Sequence, residues 1–327
     1  MKMIKLGKTD REISQIGLGT WAIGGGPAWN GDLEVKTCVD TMVEAARCGI
    51  NLIDTAPGYN FGNSEVMVGK ALPHLDRANT VVETKFGIVW DRKGALFNKV
   101  GDIQLYKNLS AESIREEIDK SLERLGTDYV DIYMSHWQAV EPYFVPISET
   151  MEVLNELKAE GKIRSIGAAN VTVDHIKEYL KYGDLDIVQA KYNLLDRSIE
   201  ADIIPICKEN GITLQCYSPL EQGLLTGAIG RDYTPTGARA NKKWFQSENL
   251  PRVCDMLDSW EPLREKYGTT TPVLALAWIL AQGDYITLLS GATAPEQVRE
   301  NVKAAELSLD PADVQWMREQ AEALDAE

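Results

Sequence analysis

Strict alternation is what most constrains this chain. Short apolar runs of strand length are followed repeatedly by stretches with apolar residues at helical spacing. Helical spacing over 34–48 stops at Gly49, and 51–54 reads as a strand. A short helix over 63–72 leads to a strand over 80–85. The helix over 110–125 opens Ser-Ala-Glu-Ser and stops at Gly126, and a strand over 129–134 and a helix over 147–160 follow. The second half repeats the scheme, with strands over 163–167, 187–190, 212–217 and 285–289. Its helices are read over 173–181, 199–210, 249–267, 272–281, 295–305 and 311–324. Upstream, residues 2–6 and 12–16 flank Gly7-Lys8-Thr9-Asp10 as a β-hairpin, and 16–20 is a further strand. Segments 21–31, 87–109 and 223–245 read as loops, the last two long enough to lie over something. Parallel strands joined by crossover helices satisfy this order. About eight such units favour an α/β fold of the closed (β/α)8 TIM-barrel type. It would be a single domain over 1–327, with an N-terminal β-hairpin and extra helices near residue 249 and at the C-terminus. A doubly wound open sheet is the alternative.

Composition removes several functions. The formal net charge of −15 argues against a general nucleic-acid or anionic-membrane binder, since phosphate contacts need clustered cations. No run of about 18 apolar residues suggests a membrane helix. The cysteines Cys38, Cys48, Cys207, Cys216 and Cys254 show no C-x-x-C spacing, so reduced thiols and a cytoplasmic location are expected. His74, His136 and His175 are too far apart in sequence for a helical metal pair, and no metal is expected. Gly17-x-Gly19-x-x-Ala22 matches a dinucleotide fingerprint as a bare pattern. That fingerprint must open a helix, and here Gly24-Gly25-Gly26-Pro27 follows. Gly69-Lys70 lacks the glycine spacing of a P-loop.

A barrel of this kind places chemistry at the C-terminal ends of its strands. The strand over 51–54 ends in Asp54. Pro57 and Gly58 then turn the chain, the glycine permitting positive φ, and present Tyr59. The strand over 80–85 ends in Lys85, and His136 follows the next strand. Asp54 and Lys85 also fit a structural ion pair, and His136 a half-buried structural histidine. Together at one rim they suggest proton donation. A free phenol, with pKa near 10, is a poor acid at neutral pH. The Lys85 ammonium would favour the phenolate and strengthen Tyr59 as an acid. Asp54 would hold Lys85, and His136 would orient a substrate oxygen. Such an acid beside a carbonyl suits reduction by a nicotinamide cofactor.

Asp54-x-x-x-x-Tyr59, Lys85 and His136 resemble the catalytic tetrad of the aldo-keto reductases, and the resemblance runs from Leu18-Gly19-Thr20-Trp21 to Glu300-Asn301. It implies a barrel, reversible NAD(P)H-linked reduction of small carbonyl compounds such as methylglyoxal, and no metal. It also implies cofactor contacts. Gly19, Thr20, Trp21 and Asp54 stand at the start of the site. Ala169-Asn170 stands where the family has Ser-Asn, which removes one hydrogen bond to the carboxamide, and Gln189 supplies another. Tyr217 matches the aromatic that stacks on nicotinamide, although on its own it is an ordinary strand-end core aromatic. Ser218-Pro219-Leu220 and Gly223-Leu224-Leu225 resemble the pyrophosphate loop. NADPH-preferring relatives grip the 2′-phosphate with Lys, Ser and Arg, where this chain has Gly291, Ala292 and Gln297. Thr293 and Gln297 can bond ribose hydroxyls, and Glu300 and Asn301 close the segment, so NADH is expected over NADPH. Arg231, Arg239, Lys242 and Arg299 are nearby cations that leave the NADPH alternative open. Trp21, Tyr59, Trp90, His136 and Trp137 are the expected substrate contacts, the tryptophans reading equally as packing residues. A second function on the same barrel is a non-catalytic cofactor-binding subunit, like potassium-channel β subunits, which keep the tetrad. Oligomeric state and physiological substrate are not legible.

Overall fold

The computed structural model describes residues 1–325. The hairpin forms from β1 (Met3–Lys5) and β2 (Glu12–Ser14), paired antiparallel. β3 (Ile16–Gly19), β4 (Leu52–Asp54) and β5 (Val81–Phe86) open the barrel. β6 (Ile88–Val89), β7 (Ala95–Val100) and β8 (Ile103–Lys107) then form a separate antiparallel sheet. β9 (Val130–Ser135), β10 (Ile163–Ala169), β11 (Ile187–Lys191), β12 (Thr213–Tyr217) and β13 (Ile286–Gly291) complete the barrel. All its strands are parallel, and β13 closes the ring on β3 by pairing Leu288 with Ile16 and Gly291 with Gly19. The open-sheet alternative is thereby excluded.

The hairpin plugs one end of the barrel. Ile4, Leu6 and Ile13 are buried with Leu52, Val81 and Ile187, which begin their strands. Gly7 N donates to Thr213 Oγ1 at 2.8 Å, and Gly7 has φ +54 with no room for a Cβ against the Asp186 carbonyl. The N-terminal ends of the strands are therefore sealed. Function is confined to the other rim.

Helices cover the outside because their apolar stripes meet the outward strand residues. The helix Ala111–Leu125 starts where Ser110 Oγ accepts from Ser113 N and ends at left-handed Gly126. His175 is spent on a capping box with Thr172. Thr271–Leu280 is buried on nearly all sides, with Trp278 Nε1 donating to Val314 O of the C-terminal helix Pro311–Asp325.

Three expectations need correction. Segment 87–109 is not an irregular loop. It is the sheet of β6, β7 and β8, whose alternation is obscured by a bulge at Leu96/Asn98 and by exposed Leu96 and Phe97. The helix read over 249–267 is two, Leu250–Asp258 and Glu261–Tyr267, broken where buried Trp260 and then Pro262 restart the chain. The left-handed residues after β4 are Asn60, Phe61 and Gly62, not Gly58, which is instead close to Ile88. Among the described residues no helix is long and apolar enough to cross a membrane, and no His/Cys/Asp/Glu cluster could hold a metal.

Candidate active site

A cavity of about 660 Å³ opens at the C-terminal ends of the barrel strands. Its size suits a cofactor with a small substrate. Asp54, Tyr59, His136 and Trp137 line its deep wall. Lys85 is fully buried just behind them. The strand ends fix this arrangement. Lys85 Nζ forms an ion pair with Asp54 Oδ1 and donates to the Thr55 carbonyl at 3.0 Å and to Tyr59 OH at 3.3 Å. His136 N donates to Phe86 O at 2.9 Å, and its ring meets the Tyr59 ring edge-on with centroids 5.7 Å apart. The structure brings the four expected residues together.

Their protonation follows from burial and charge. Burial pushes the Tyr59 phenol up, Asp54 adds to this, and Lys85 pulls only part of it back. The net direction is upward, against the expectation of a phenol strengthened overall. Tyr59 is thus a protonated donor at neutral pH, and Lys85 limits the rise. Burial opposes charge on Lys85, but the Asp54 carboxylate outweighs it and holds the ammonium above its usual range. Burial and the Lys85 charge both push His136 well below its usual value. A neutral imidazole keeps one N–H to donate. A carbonyl oxygen between Tyr59 OH and His136 would meet two donors and no anion.

The wider wall holds most of the remaining candidates. Gly19, Trp21, Asn170, Gln189 and Tyr217 line the cavity. Asn170 Nδ2 donates to His136 O and Asn170 Oδ1 accepts from Tyr217 OH, both at 2.9 Å. Thr20 does not line the cavity. It is buried and donates to the Asp54 carbonyl at 2.7 Å, bracing that strand end. Ala169 is buried in the barrel interior, where its carbonyl accepts from Gln138. Trp90 lies away from the cavity lining, its ring packed edge-on against Phe61.

Ser218, Pro219, Leu220 and Gly223 form one side wall, with Leu224 buried beneath. Ser218, Glu221 and Gln222 have φ of 52, 43 and 54, a conformation costing about 1–3 kcal/mol each for non-glycine residues. Neighbours hold the strain in place. Lys191 Nζ pairs with buried Glu221 at 2.8 Å, and Asn193 Nδ2 donates to Ser218 O at 2.9 Å. Gly291, Ala292, Thr293 and Gln297 line the far end with Glu300 and Asn301. There Gln297 Oε1 accepts from Thr293 N at 2.8 Å.

Trp29, Gln222 and Arg239 also line the cavity; the sequence named Arg239 only as a nearby cation and missed the other two, because loops carry no periodicity. These three decide whether a dinucleotide fits. Trp29 Nε1 and Gln222 Oε1 are buried without a hydrogen-bond partner. Arg239 stacks over Trp29 and donates to Gln222 O and Tyr233 OH, but pairs with no carboxylate among the described residues. An unpaired guanidinium beside a strained turn and the open Trp29 N–H suits a pyrophosphate, while Gln222 Oε1, an acceptor, is left for a donor such as a hydroxyl. The other nearby cations are placed elsewhere. Arg231 pairs with Asp255 and Asp258, Arg299 pairs with Glu44, and Lys242 is exposed outside the lining.

A model of the Aldo/keto reductase family matches residues 15–322. The chain is 69% identical over 325 residues to an NADH-specific methylglyoxal reductase of Escherichia coli K12, covering 99% of this chain and all of that one (100%). It is 38% identical over 302 residues to an aldo-keto reductase of Bacillus subtilis 168, covering 91% and 87% of the two chains. A solved glycerol dehydrogenase of Gluconobacter oxydans superposes with TM-score 0.83 at 32% identity, over 99% of this chain and 94% of that one.

Proposed function

Since the chain belongs to the aldo/keto reductase family, we propose that it reduces methylglyoxal and similar small carbonyl compounds with NADH, taking the proton from Tyr59. The observation that carries this reading is the convergence of Tyr59, Lys85, Asp54 and His136 on one wall of the cavity. NADH supplies the hydride when bound. The protein does the rest. His136, neutral, donates to the substrate oxygen and fixes its direction. Tyr59 gives its proton to that oxygen as negative charge develops there. The ammonium of Lys85, 3.3 Å from the phenol oxygen, then stabilises the phenolate until solvent returns the proton. Asp54 keeps Lys85 charged and aimed.

Trp29, Arg239 and the 218–223 turn would hold the pyrophosphate, and Tyr217 the nicotinamide face. The cofactor preference rests on the far end. Among the described residues Arg239 is the one cation lining the cavity, and Glu300 lines the end where a 2′-phosphate would sit. Lys303 pairs with Glu300 and Thr270 Oγ1 donates to it, so that ammonium is already engaged, and Gly291, Ala292 and Gln297 add no cation for a 2′-phosphate. The E. coli relative is named both as NADH-specific and as a reductase, which favours an enzyme over a non-catalytic subunit. The test is NADH oxidation by the purified protein with methylglyoxal, in wild type and in Tyr59→Phe. Turnover in wild type that Tyr59→Phe abolishes is the expected result. Equal turnover in both would make another group the acid.

A further inference from the structure

One buried carboxyl beneath the tetrad takes no part in this reaction. Glu83 precedes Lys85 by two residues on β5, so both side chains point into the barrel, and both are 0% exposed. Its partner in strand register is Asp54. Gln189 Nε2 lies 2.8 Å from Glu83 Oε1, 3.1 Å from Asp54 Oδ1 and 2.6 Å from Gln215 Oε1. Gln215 Nε2 lies 3.0 Å from Glu83 Oε2. One amide nitrogen has two hydrogens, and here three oxygens compete for them. Lys85 directs its own hydrogens to Asp54, the Thr55 carbonyl and Tyr59, and none to Glu83. The cluster is short of one hydrogen. It also holds two carboxyl groups against one ammonium, with Glu83 and Lys85 fully buried and Asp54 at the cavity floor. The remaining walls supply no charge, because β9, β10 and β13 contribute Ile132, Met134, Ala169 and Leu289 to this interior.

We propose that Glu83 is a positioning residue that carries the missing proton in the working enzyme. Neutral, it donates its O–H to Asp54 and accepts from Gln189 and Gln215, leaving Asp54–Lys85 as the lone ion pair beneath Tyr59. Burial and the Asp54 charge both push the Glu83 carboxyl well above the usual range, against the pull of Lys85. Ionised Glu83 would place a second negative charge near Tyr59, and that charge opposes the phenolate. The acid strength of Tyr59 therefore falls as pH rises through the titration of Glu83. Glu83 transfers no proton to substrate. Its proton stays in the cluster while that of Tyr59 leaves and returns.

Two readouts decide the matter, one of them independent of the reaction proposed above. In infrared difference spectra at neutral pH, wild type should show the carbonyl stretch of a protonated carboxylic acid that Glu83→Gln lacks. Glu117, a second deeply buried carboxyl pushed up by burial, gives its own band that Glu117→Gln removes. A wild-type spectrum with no band assignable to Glu83 overturns the proposal and leaves the role of Tyr59 untouched. The second readout is the pH profile of kcat/KM for methylglyoxal reduction. Its alkaline limb should move upward by about one pH unit or more in Glu83→Gln, and Glu83→Asp, which restores an acid, should bring the limb back. Identical limbs in wild type and Glu83→Gln also overturn it. If Glu83→Gln melts far below wild type, Glu83→Asp carries the same decision, through a shifted infrared band. Absence of turnover in wild type with every carbonyl would refute the proposed reaction while the infrared result stands.

Discussion

Tyr59 contacts the ammonium of Lys85 on one side and faces the cavity on the other, so its proton is the one a bound carbonyl would take. Tyr59→Phe keeps the ring and its edge contact with His136 but removes the proton. Carbonyl reduction should fall by about 100-fold or more while cofactor affinity is kept, as measured by kcat and by NADH fluorescence titration. Lys85→Met should be comparably slow, because burial would then raise the phenol unopposed. Retention of most turnover in Tyr59→Phe sinks the assignment. The cofactor preference is also argued at single positions. Gly291→Lys with Gln297→Arg adds two cations where 2′-phosphate would lie, each charged hydrogen bond contributing about 1.5–3 kcal/mol. The NADPH/NADH ratio of kcat/KM should rise by about tenfold or more, although Gln297→Arg gives up the bond from Thr293 N. An unchanged ratio refutes the reading. The tetrad was legible because each member ends or follows an apolar run. Arg239, Trp29 and Gln222 lie in loops where no period marks the inward side. Glu83 lies inside a strand, and nothing in Val81-Val82-Glu83-Thr84 says which face is dry.

The sheet over β6–β8 leaves the barrel at Gly87, directly after Lys85 and Phe86. Gly87 N donates to Glu117 Oε2 at 2.9 Å and Ser113 Oγ to Glu117 Oε1 at 3.0 Å, which ties the sheet's root to the helix Ala111–Leu125. Burial pushes the Glu117 carboxyl up to about 8, with both bonds opposing the rise. In the unfolded chain the same group titrates near 4.3. Between these values the folded protein holds a proton that the unfolded chain releases, so stability falls as pH rises across the window. The full loss from this group is roughly 3–6 kcal/mol, and Glu83 acts in the same direction. Urea denaturation between about pH 7 and about pH 8, above the range where the buried neutral His136 makes stability rise with pH, should show that decline, and Glu117→Gln should flatten part of it. A wild type that grows more stable over this interval contradicts the assignment. Capped helices such as Ala111–Leu125 were legible to within a few residues because Ser110 and Gly126 are local signals, whereas the break at Trp260 within 249–267 carries no such cap. The β6–β8 sheet was not, since its exposed strands alternate weakly and its register depends on a bulge.

At the scale of the molecule, the barrel is sealed below by the hairpin and open above, and two loop segments meet over the opening. Asn30 Nδ2 donates to Thr236 Oγ1 at 3.2 Å, Gly237 packs on the Ala28 carbonyl, and Arg239 lies over Trp29. The eightfold alternation was enough to read the barrel, because parallel strands with crossover helices close in few ways. The meeting of segments 21–31 and 223–245 was not readable, being a contact across about 200 residues between stretches without period. A dinucleotide lying beneath this contact would join elements from both halves of the chain, so its binding should register in global stability. Free ligand at about 100 times its Kd stabilises by about 2.7 kcal/mol, a rise in Tm of a few degrees for a protein of this size. NADH should give that rise, and NADPH at equal concentration a smaller one, because Gly291, Ala292 and Gln297 carry no cation at the adenosine end and Lys303 there is already paired with Glu300. Arg239→Gln should reduce the shift with NADH by removing the one cation that lines the cavity among the described residues. The Tm of its free form reports separately on what the loops lose by its stacking. Equal shifts with both cofactors in wild type would mean that the adenosine end does not discriminate. A full NADH shift in Arg239→Gln would mean that the pyrophosphate is held elsewhere.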